Sequence, residues 1–579
     1  MTPSQDQAEL NALWADTLIA SLIGLGVEHA CLSPGHRNAP LALALARQDS
    51  ITVHTHMDER SGGFFGLGIT KATGRPTALI CTSGTAAANF SPAVIEAYYT
   101  GTPLIVITAD RPPELRQTGA NQTIDQINLY GSHTRFFADV ATPDRSKLAY
   151  LSHLVAQAVT HAVGKPSGPV HLNVPLREPL TRSDGAAPQQ TQQMDIGNID
   201  PPRTSRYAVP DLQAVADTII KNRRGVVAIG PMARQDGFTE GLSALLKSTG
   251  YLLFAEATNE ARYAHELAEF RIDNLDALLT NEAFIEAFRP EVVIRFGARP
   301  ISKSFGQMLA REKPQLYLVD GEGLWTDADT LAQEVLRADP AGFCRSIAND
   351  LALLPANDGW VSAIRQWDTA ASELLGSMVA ADAPLFEGHI AALCAELTPE
   401  DGLLYVGNSM PVRHLERYST ATRRRPLTVL SNRGASGIDG LTSSALGAAT
   451  GTGLPVCLYI GDTSFYHDLP GLAAAKGTIN ATLVVANNDG GGIYSILPVA
   501  SYGKALERYF RMPHGLEFEG AAQMFGLEYH RVTDVAGIRQ ALESCLPKLG
   551  VQIVEVVLDP AQEIEKWRAV QSALQDLTP

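Results

Sequence analysis

Short apolar runs rich in β-branched residues recur along the chain, and each closes on Gly, Pro or Asp. In the first third these are PTALICTSG, TPLIVITADRP and GPVHLNVP, with TAAANFSPAVIEAYY at helical spacing between the first two. Continuous apolar runs bounded by turn residues predict strands buried on both faces, and strand–helix–strand succession predicts a parallel sheet. The pattern returns in the middle third as GVVAIGP, EVVIRFGARP and QLYLVDGEG, and in the last third as PVCLYIGD, ATLVVANND and VQIVEVVLD. Two stretches interrupt it: the polar, Pro-rich TRSDGAAPQQTQQMDIGNIDPPRTSRYAVP, and the weaker LLPANDGW ahead of a helical run. The expected fold is α/β, three doubly wound parallel-sheet domains at residues 1–185, 210–355 and 384–579, with a linker at 186–209 and a connecting segment at 356–383.

Length and charge narrow the picture. A chain of 579 residues is too long for one core and agrees with three domains. No apolar run approaches the ~20 residues that span a bilayer. The stretch MTPSQDQAELNALW lacks the basic and apolar pattern of a signal peptide, so a cytoplasmic protein with no membrane span is expected. The six cysteines, Cys31, Cys81, Cys344, Cys394, Cys457 and Cys545, lie far apart with none of the close pairs of metal or redox motifs, and are expected to be reduced core residues. A formal net charge of −16 argues against a nucleic-acid partner and requires any anionic ligand to meet cations placed locally.

Chemistry concentrates where two of the last strands end. PVCLYIGD breaks into Gly461-Asp462, and ATLVVANND into Asn487-Asn488-Asp489 and three glycines. Ligands of open parallel sheets bind at such carboxyl ends. A carboxylate, amide oxygens and a closely approaching backbone carbonyl are hard donors suited to magnesium, and a helix starting at Asp462 would offer free amides to a diphosphate. Either loop alone is more often a helix cap or a turn.

The two loops together, Asn488 following Asp462 by 26 residues, resemble the cofactor motif of thiamine-diphosphate enzymes. The resemblance implies Asp462, Asn488 and the Gly490 carbonyl as ligands of Mg2+, with Mn2+ a possible substitute. It extends to HTHMDERSGGFFGLGITKATGRPTALICTSGTAAANF, where Glu59 occupies the position of the catalytic glutamate ahead of a Gly-rich helix. In such enzymes that glutamate hydrogen-bonds a ring nitrogen of the aminopyrimidine and favours the tautomer that deprotonates the thiazolium carbon. Residues 1–185 would then be the pyrimidine-binding domain, 210–355 a central Rossmann-like domain, and 384–579 the diphosphate- and metal-binding domain.

Further words, SPGHRNAPL, TADRPPELRQTGANQ, GNSMPVR, SNRGASGIDGL, GDTSF and NNDGGGIYSILP, resemble the 2-succinyl-5-enolpyruvyl-6-hydroxy-3-cyclohexene-1-carboxylate synthase family in the first and last domains; FGARPISKS carries the weaker likeness in the middle. That family's reaction, in menaquinone or phylloquinone biosynthesis, decarboxylates 2-oxoglutarate on thiamine diphosphate and adds the succinyl-semialdehyde carbanion to isochorismate, releasing carbon dioxide. Both substrates carry two carboxylates, which suits the planar fork of Arg in Gly- or Pro-punctuated loops. By resemblance, Arg37, Arg111, Asn121, Gln122, Lys303, Ser409, Arg413 and Arg433 line the substrate region, with apolar contacts from Ile493, Tyr494 and Leu497. Ser409, Met410, Gly437, Ile438, Gly461, Asp462, Thr463, Ser464, Phe465 and Asn488 join Glu59 around the cofactor, Ile438 as a wedge beneath its rings.

The sequence departs from the family pattern at His36 (Ser expected), Ser304 (Arg in some relatives), Thr463 (Gly), Asp489 (Asn) and Tyr494 (Phe); His414 and His467 are read as structural. The resemblance also implies a homodimer or dimer of dimers with sites at the subunit interface. Two rival readings remain. One is an acetolactate-synthase-type or oxalyl-CoA-decarboxylase-type thiamine enzyme, disfavoured by the Arg-rich words. The other is a non-catalytic nucleotide-binding regulator, which would have no use for Glu59 and the metal loops together, in a sequence without a G-x-G-x-x-G opening a helix.

Overall fold

The computed structural model of the chain describes residues 3–182, 207–351, 357–422, 425–475, 477 and 479–579. Of the expected linker only residues 207–209 are among them. Among these residues there are three sheets, and every strand pairing in them is parallel. The first contains β1 (His29–Leu32), β2 (Thr52–Thr55), β3 (Thr77–Cys81), β4 (Leu104–Asp110), β5 (Phe136–Asp139) and β6 (Val170–Pro175), in the order β2-β1-β3-β4-β6-β5. The second contains β7 (Gly225–Ile229), β8 (Leu252–Ala255), β9 (Val292–Phe296), β10 (Gln315–Val319) and β11 (Glu334–Leu336), in the order β11-β10-β9-β7-β8. The third contains β12 (Leu403–Val406), β13 (Thr428–Ser431), β14 (Val456–Gly461), β15 (Asn480–Asn487), β16 (Glu528–Val532) and β17 (Gly550–Val557), in the order β13-β12-β14-β15-β17-β16. The first and third sheets thus share one topology.

All nine runs read as strands from the sequence are strands here. Their apolar continuity follows from burial on both faces. In the second sheet Val227, Ile229 and Ile294 enter one core while Val226, Ala228 and Val293 enter another, as helices on both sides of a sheet require. The helical expectation over TAAANFSPAVIEAYY holds as two pieces, Thr85–Asn89 and Ser91–Thr100, with Pro92 in the first turn of the second, where its missing amide costs nothing. All six cysteines are buried and unbridged. No helix among the described residues is long and apolar enough to cross a membrane.

The chain forms two compact units. One comprises Met1–Ser205, Asn432–Gly453 and Asp468–Lys476, and the other Arg206–Ser431, Leu454–His467 and Gly477–Pro579. Within the first, the helix Glu59–Thr73 lies directly on the helix Leu441–Thr452. Gly68 permits this, because a Cβ there would sit 1.9 Å from the Ser444 carbonyl oxygen. The Ser444 hydroxyl donates to the Phe64 carbonyl at 3.1 Å, and Asp468 accepts from the Ser443 amide at 2.7 Å. At the other end Lys71 Nζ donates to Glu96 Oε1 and Asn432 Oδ1, both at 3.0 Å, while Glu96 also accepts from the Gly434 and Ala435 amides at 2.9 and 2.7 Å. This buried cluster fixes the start of the loop that carries Arg433, Gly437 and Ile438.

Candidate active site

The register of the third sheet brings the two metal-loop candidates together. Gly461 of β14 pairs with Ala486 of β15, so both chains leave the sheet side by side at its carboxyl edge. Asp462 begins the helix Asp462–His467, whose six residues give it free amides at its start and little length over which a dipole accumulates. Its Oδ2 accepts from the Asn488 amide at 3.1 Å and the Gly490 amide at 2.9 Å, which folds the Asn-Asn-Asp-Gly turn around the carboxylate. Thr463, where Gly was expected, donates its hydroxyl to Asp462 Oδ1 at 3.0 Å and is thereby accommodated. Gly490 has φ 120°, and a Cβ on it would lie 2.2 Å from the Arg511 carbonyl, so only glycine closes this turn.

Burial raises the Asp462 carboxyl above its ordinary value, and hydrogen bonds from Gly490 and Thr463 and the charge of His514 oppose this. His514 Nε2 lies 3.3 Å from Asp462 Oδ2. Asn488 is buried with its amide oxygen lacking any hydrogen-bond partner among the described residues. A carboxylate burdened by desolvation beside an orphaned amide oxygen and a tightly turned backbone is an arrangement that a hard cation completes, and these donors fit Mg2+ or Mn2+. A Cβ at Gly461 would meet nothing within 4 Å, so the backbone there faces open space, as a diphosphate seat requires.

Behind Asn488 stands a group that the sequence reading missed. Glu387, first residue of the helix Glu387–Leu397, accepts from Asn488 Nδ2 at 2.6 Å and lies 3.0 Å from His414 Nδ1; Glu563 accepts from the Glu387 amide at 3.1 and 3.2 Å. Burial, followed by the charge of Glu387, pushes the Glu563 carboxyl up to about 9. Nothing local marks these residues: Glu387 is 101 residues from Asn488, and FEGHI reads as an ordinary helix start.

Of the other candidates in the second unit, Ser409, Met410 and Arg413 follow β12. Ser409 adopts φ 69° and leads into the helix Met410–Thr422, where Arg413 Nη1 donates to the Ser409 carbonyl at 2.5 Å and Met410 is buried. Lys303 opens the helix Lys303–Glu312 with an exposed side chain, capped by Ser302. Ser464 is buried, and Phe465 packs edge-on against Phe518 in the core, leaving its backbone as the part available to a ligand. Beyond Gly490, Ile493 is half-buried, while Tyr494 and Leu497 are exposed.

In the first unit, the carboxyl ends of β1, β3 and β4 carry a second set. Arg37 is buried, donating to the Leu176 carbonyl at 2.9 Å and to Glu178 at 2.6 Å. Arg111 donates to the Ser83 hydroxyl and to the Gln122 carbonyl at 3.0 Å. Burial and then the nearby charge of Arg37 lower the Arg111 guanidinium from its ordinary value, against the opposing charges of Glu178 and Asp110. Gln122 is exposed but anchored, Nε2 donating to the Ser83 carbonyl at 3.0 Å, and Asn121 is exposed. Glu59 stands at the start of its helix beyond β2, half-buried, with Asn89 donating to its Oε2 at 3.4 Å; Asp58 supplies the helix cap through the Ser61 amide. Arg433 and Gly437 are half-buried, and Ile438 keeps 39 % of its surface exposed.

Comparison with known proteins adds independent support. Residues 14–129 match the thiamine pyrophosphate enzyme N-terminal TPP binding domain, 208–406 the middle domain of thiamine pyrophosphate enzymes, and 412–556 the C-terminal TPP binding domain. A curated protein of Geobacillus kaustophilus, the "2-succinyl-5-enolpyruvyl-6-hydroxy-3-cyclohexene-1-carboxylate synthase", is 38% identical over 567 residues, covering 97% of each chain. Proteins of the same name from Chloroflexus aurantiacus and Haloarcula marismortui are each 38% identical, over 97% of this chain and 96% of the relative, and over 95% of both. With such likeness from end to end, the chain belongs to the thiamine-diphosphate-dependent 2-succinyl-5-enolpyruvyl-6-hydroxy-3-cyclohexene-1-carboxylate synthase family.

Proposed function

We propose that the protein is a cytoplasmic transferase that converts 2-oxoglutarate and isochorismate into 2-succinyl-5-enolpyruvyl-6-hydroxy-3-cyclohexene-1-carboxylate and carbon dioxide, using thiamine diphosphate and Mg2+, on the way to menaquinone or phylloquinone. The observation that carries this reading is the folding of the Asn488–Gly490 turn around the buried Asp462 carboxylate. Asp462, Asn488 and the Gly490 carbonyl hold the cation, and the backbone from Gly461 to Phe465 holds the diphosphate. Ser409, Met410, Gly437 and the exposed Ile438 would contact the rest of the cofactor. When bound, thiamine diphosphate supplies the electron sink for decarboxylation of a 2-oxo acid and for carbon–carbon bond formation.

The chain's own residues do the remainder. Glu59 holds a proton at a ring nitrogen of the aminopyrimidine. The guanidinium groups of Arg37, Arg111, Arg413 and Arg433, with Lys303, Asn121 and Gln122, neutralise and orient the substrate carboxylates. Ile493, Tyr494 and Leu497 exclude water from the reacting carbons. Each centre takes Glu59 from one copy of a homodimer and Asp462 from the other, with residues 1–185 and 384–579 acting as the pyrimidine-binding and diphosphate-binding domains.

Cofactor-free protein tests the reading. Carbon dioxide release from 2-oxoglutarate should appear only when thiamine diphosphate and Mg2+ are both restored, and should fall by about 10²–10⁴-fold in Glu59→Gln. Co-assembled dimers of Glu59→Gln and Asp462→Ala should regain part of the activity; verified mixed dimers without recovery would show that each site is built within one chain.

A further inference from the structure

We propose that Glu387 is the positioning residue that decides which atom of Asn488 meets the cation, an inference that rests on the assignment of Asn488 as a metal ligand above. A side-chain amide has an oxygen and a nitrogen of similar size, and only the oxygen can ligate a hard cation. The turn that holds Asn488 is fixed through its backbone, by the amides of Asn488 and Gly490 on Asp462, and this leaves the side-chain amide free to rotate by half a turn. Packing does not choose between the two orientations either, because a half-turn exchanges atoms of nearly equal size.

Glu387 supplies the missing constraint. A carboxylate offers only acceptors, so the atom 2.6 Å from Glu387 Oε1 has to be the Asn488 nitrogen. The oxygen is then turned away from Glu387, buried and unpartnered among the described residues. Glu387 is itself held from three helices. It opens the first; His414, on Met410–Thr422, lies 3.0 Å from its Oε2; and Glu563, on Pro560–Gln575, accepts from its backbone amide. The Tyr459 hydroxyl adds a fourth contact at 3.5 Å. A ligand oriented by so constrained a carboxylate needs no reorganisation when the metal arrives.

The test is Mn2+ binding to the full chain with saturating thiamine diphosphate, read from the electron paramagnetic resonance of free Mn2+. Glu387→Gln presents either an oxygen or a nitrogen to Asn488, so Mn2+ affinity should fall about 10–100-fold while melting of the cofactor-free protein stays near that of the parent. In an Asn488→Asp background position 488 offers oxygen in either orientation and faces Glu387 with like charge. There the same Glu387→Gln change should strengthen Mn2+ binding, a reversal of sign that general loosening of the structure would not produce. If Glu387→Gln fails to fold, Glu387→Asp replaces it, keeping the charge but withdrawing it by one methylene, with weaker binding again expected. Unchanged affinity in a folded Glu387 variant, or weakening of equal size in both backgrounds, overturns the inference. A parent protein that binds no Mn2+ overturns the ligand assignment itself, which distinguishes the two failures.

Discussion

Replacing Gly68 with alanine tests whether the helix Glu59–Thr73 and the helix Leu441–Thr452 need backbone contact. The added Cβ would sit 1.9 Å from the Ser444 carbonyl oxygen and 2.7 Å from its carbon. Carbon and oxygen settle near 3.5 Å, so the helices must part by roughly 1.5 Å. The obstacle is backbone on both sides, with no flexible side chain to swing away. Overpacking of this kind costs about 1–3 kcal/mol, against a gain of about 0.5–1 kcal/mol from removing a mid-helix glycine. The lost contact between the helices adds to the cost, and a net loss of about 2 kcal/mol is expected, or a melting midpoint ~4–8 °C lower for a unit of this size. Gly376, within the helix Asp358–Met378, is the control: its Cβ would meet nothing within 4 Å, so Gly376→Ala should stabilise by about 0.5–1 kcal/mol. Calorimetric melting of the three proteins decides the matter. Because the Gly68 helix begins at Glu59, Gly68→Ala should also weaken thiamine diphosphate binding, measurable by titration calorimetry. A Gly68→Ala protein that melts at or above the parent temperature would refute the close-packing argument.

Three other outcomes follow from the electrostatics. Folded Glu563 keeps its proton up to about pH 9, whereas an unfolded carboxyl releases it near the ordinary 4.5, so between these values the folded state binds more protons and stability falls as pH rises. Glu563→Gln cannot ionise, and should flatten the melting profile between pH 6 and 9 and melt above the parent at pH 8; a lower midpoint at pH 8 would contradict the assignment. Burial pushes Glu96 up, but Lys71 and the amides of Gly434 and Ala435 outweigh it and leave Glu96 below its ordinary value, while burial, joined by the charge of Arg433, leaves Lys71 lowered despite the same pairing. Lys71→Met should therefore destabilise by about 3–5 kcal/mol in urea unfolding at pH 7, by stranding a buried carboxylate. The contribution of Glu96 is present above the ordinary carboxylate range and disappears as pH falls through its lowered folded value, so the gap between parent and Lys71→Met should shrink toward pH 3; a constant gap would count against the pair.

The architecture was legible because the central strands of doubly wound sheets are buried on both faces and therefore write themselves as unbroken apolar runs. β3, β4, β14 and β15 are all of this kind. Edge strands are not. β2 is Thr-Val-His-Thr with no fully buried residue, and β13 is partly exposed, so neither has a pattern that stands out from a loop. The chemistry was legible where it is local: Asp462 and Asn488 end adjacent strands, and their loops announce themselves by composition. What escaped depends on contacts between distant segments. Glu387 and Glu563 acquire meaning only when their helices close behind Asn488, and the glycines of GGFFGLG gave no hint that Gly68 marks the spot where a carbonyl from residue 444 presses in. The same holds for Glu96, which a reader would place on a helix face and which instead gathers Lys71 and the loop at Gly434.

The most direct measurement is isochorismate consumption by the purified protein with 2-oxoglutarate, thiamine diphosphate and Mg2+, the product identified by mass. The account predicts loss of isochorismate that depends on all three additions, with one succinyl adduct formed and one carbon dioxide released per turnover. Carbon dioxide released from 2-oxoglutarate while isochorismate persists would contradict the acceptor assignment and with it the central claim; no reaction of either substrate in cofactor-replete, folded protein would contradict the catalytic reading altogether.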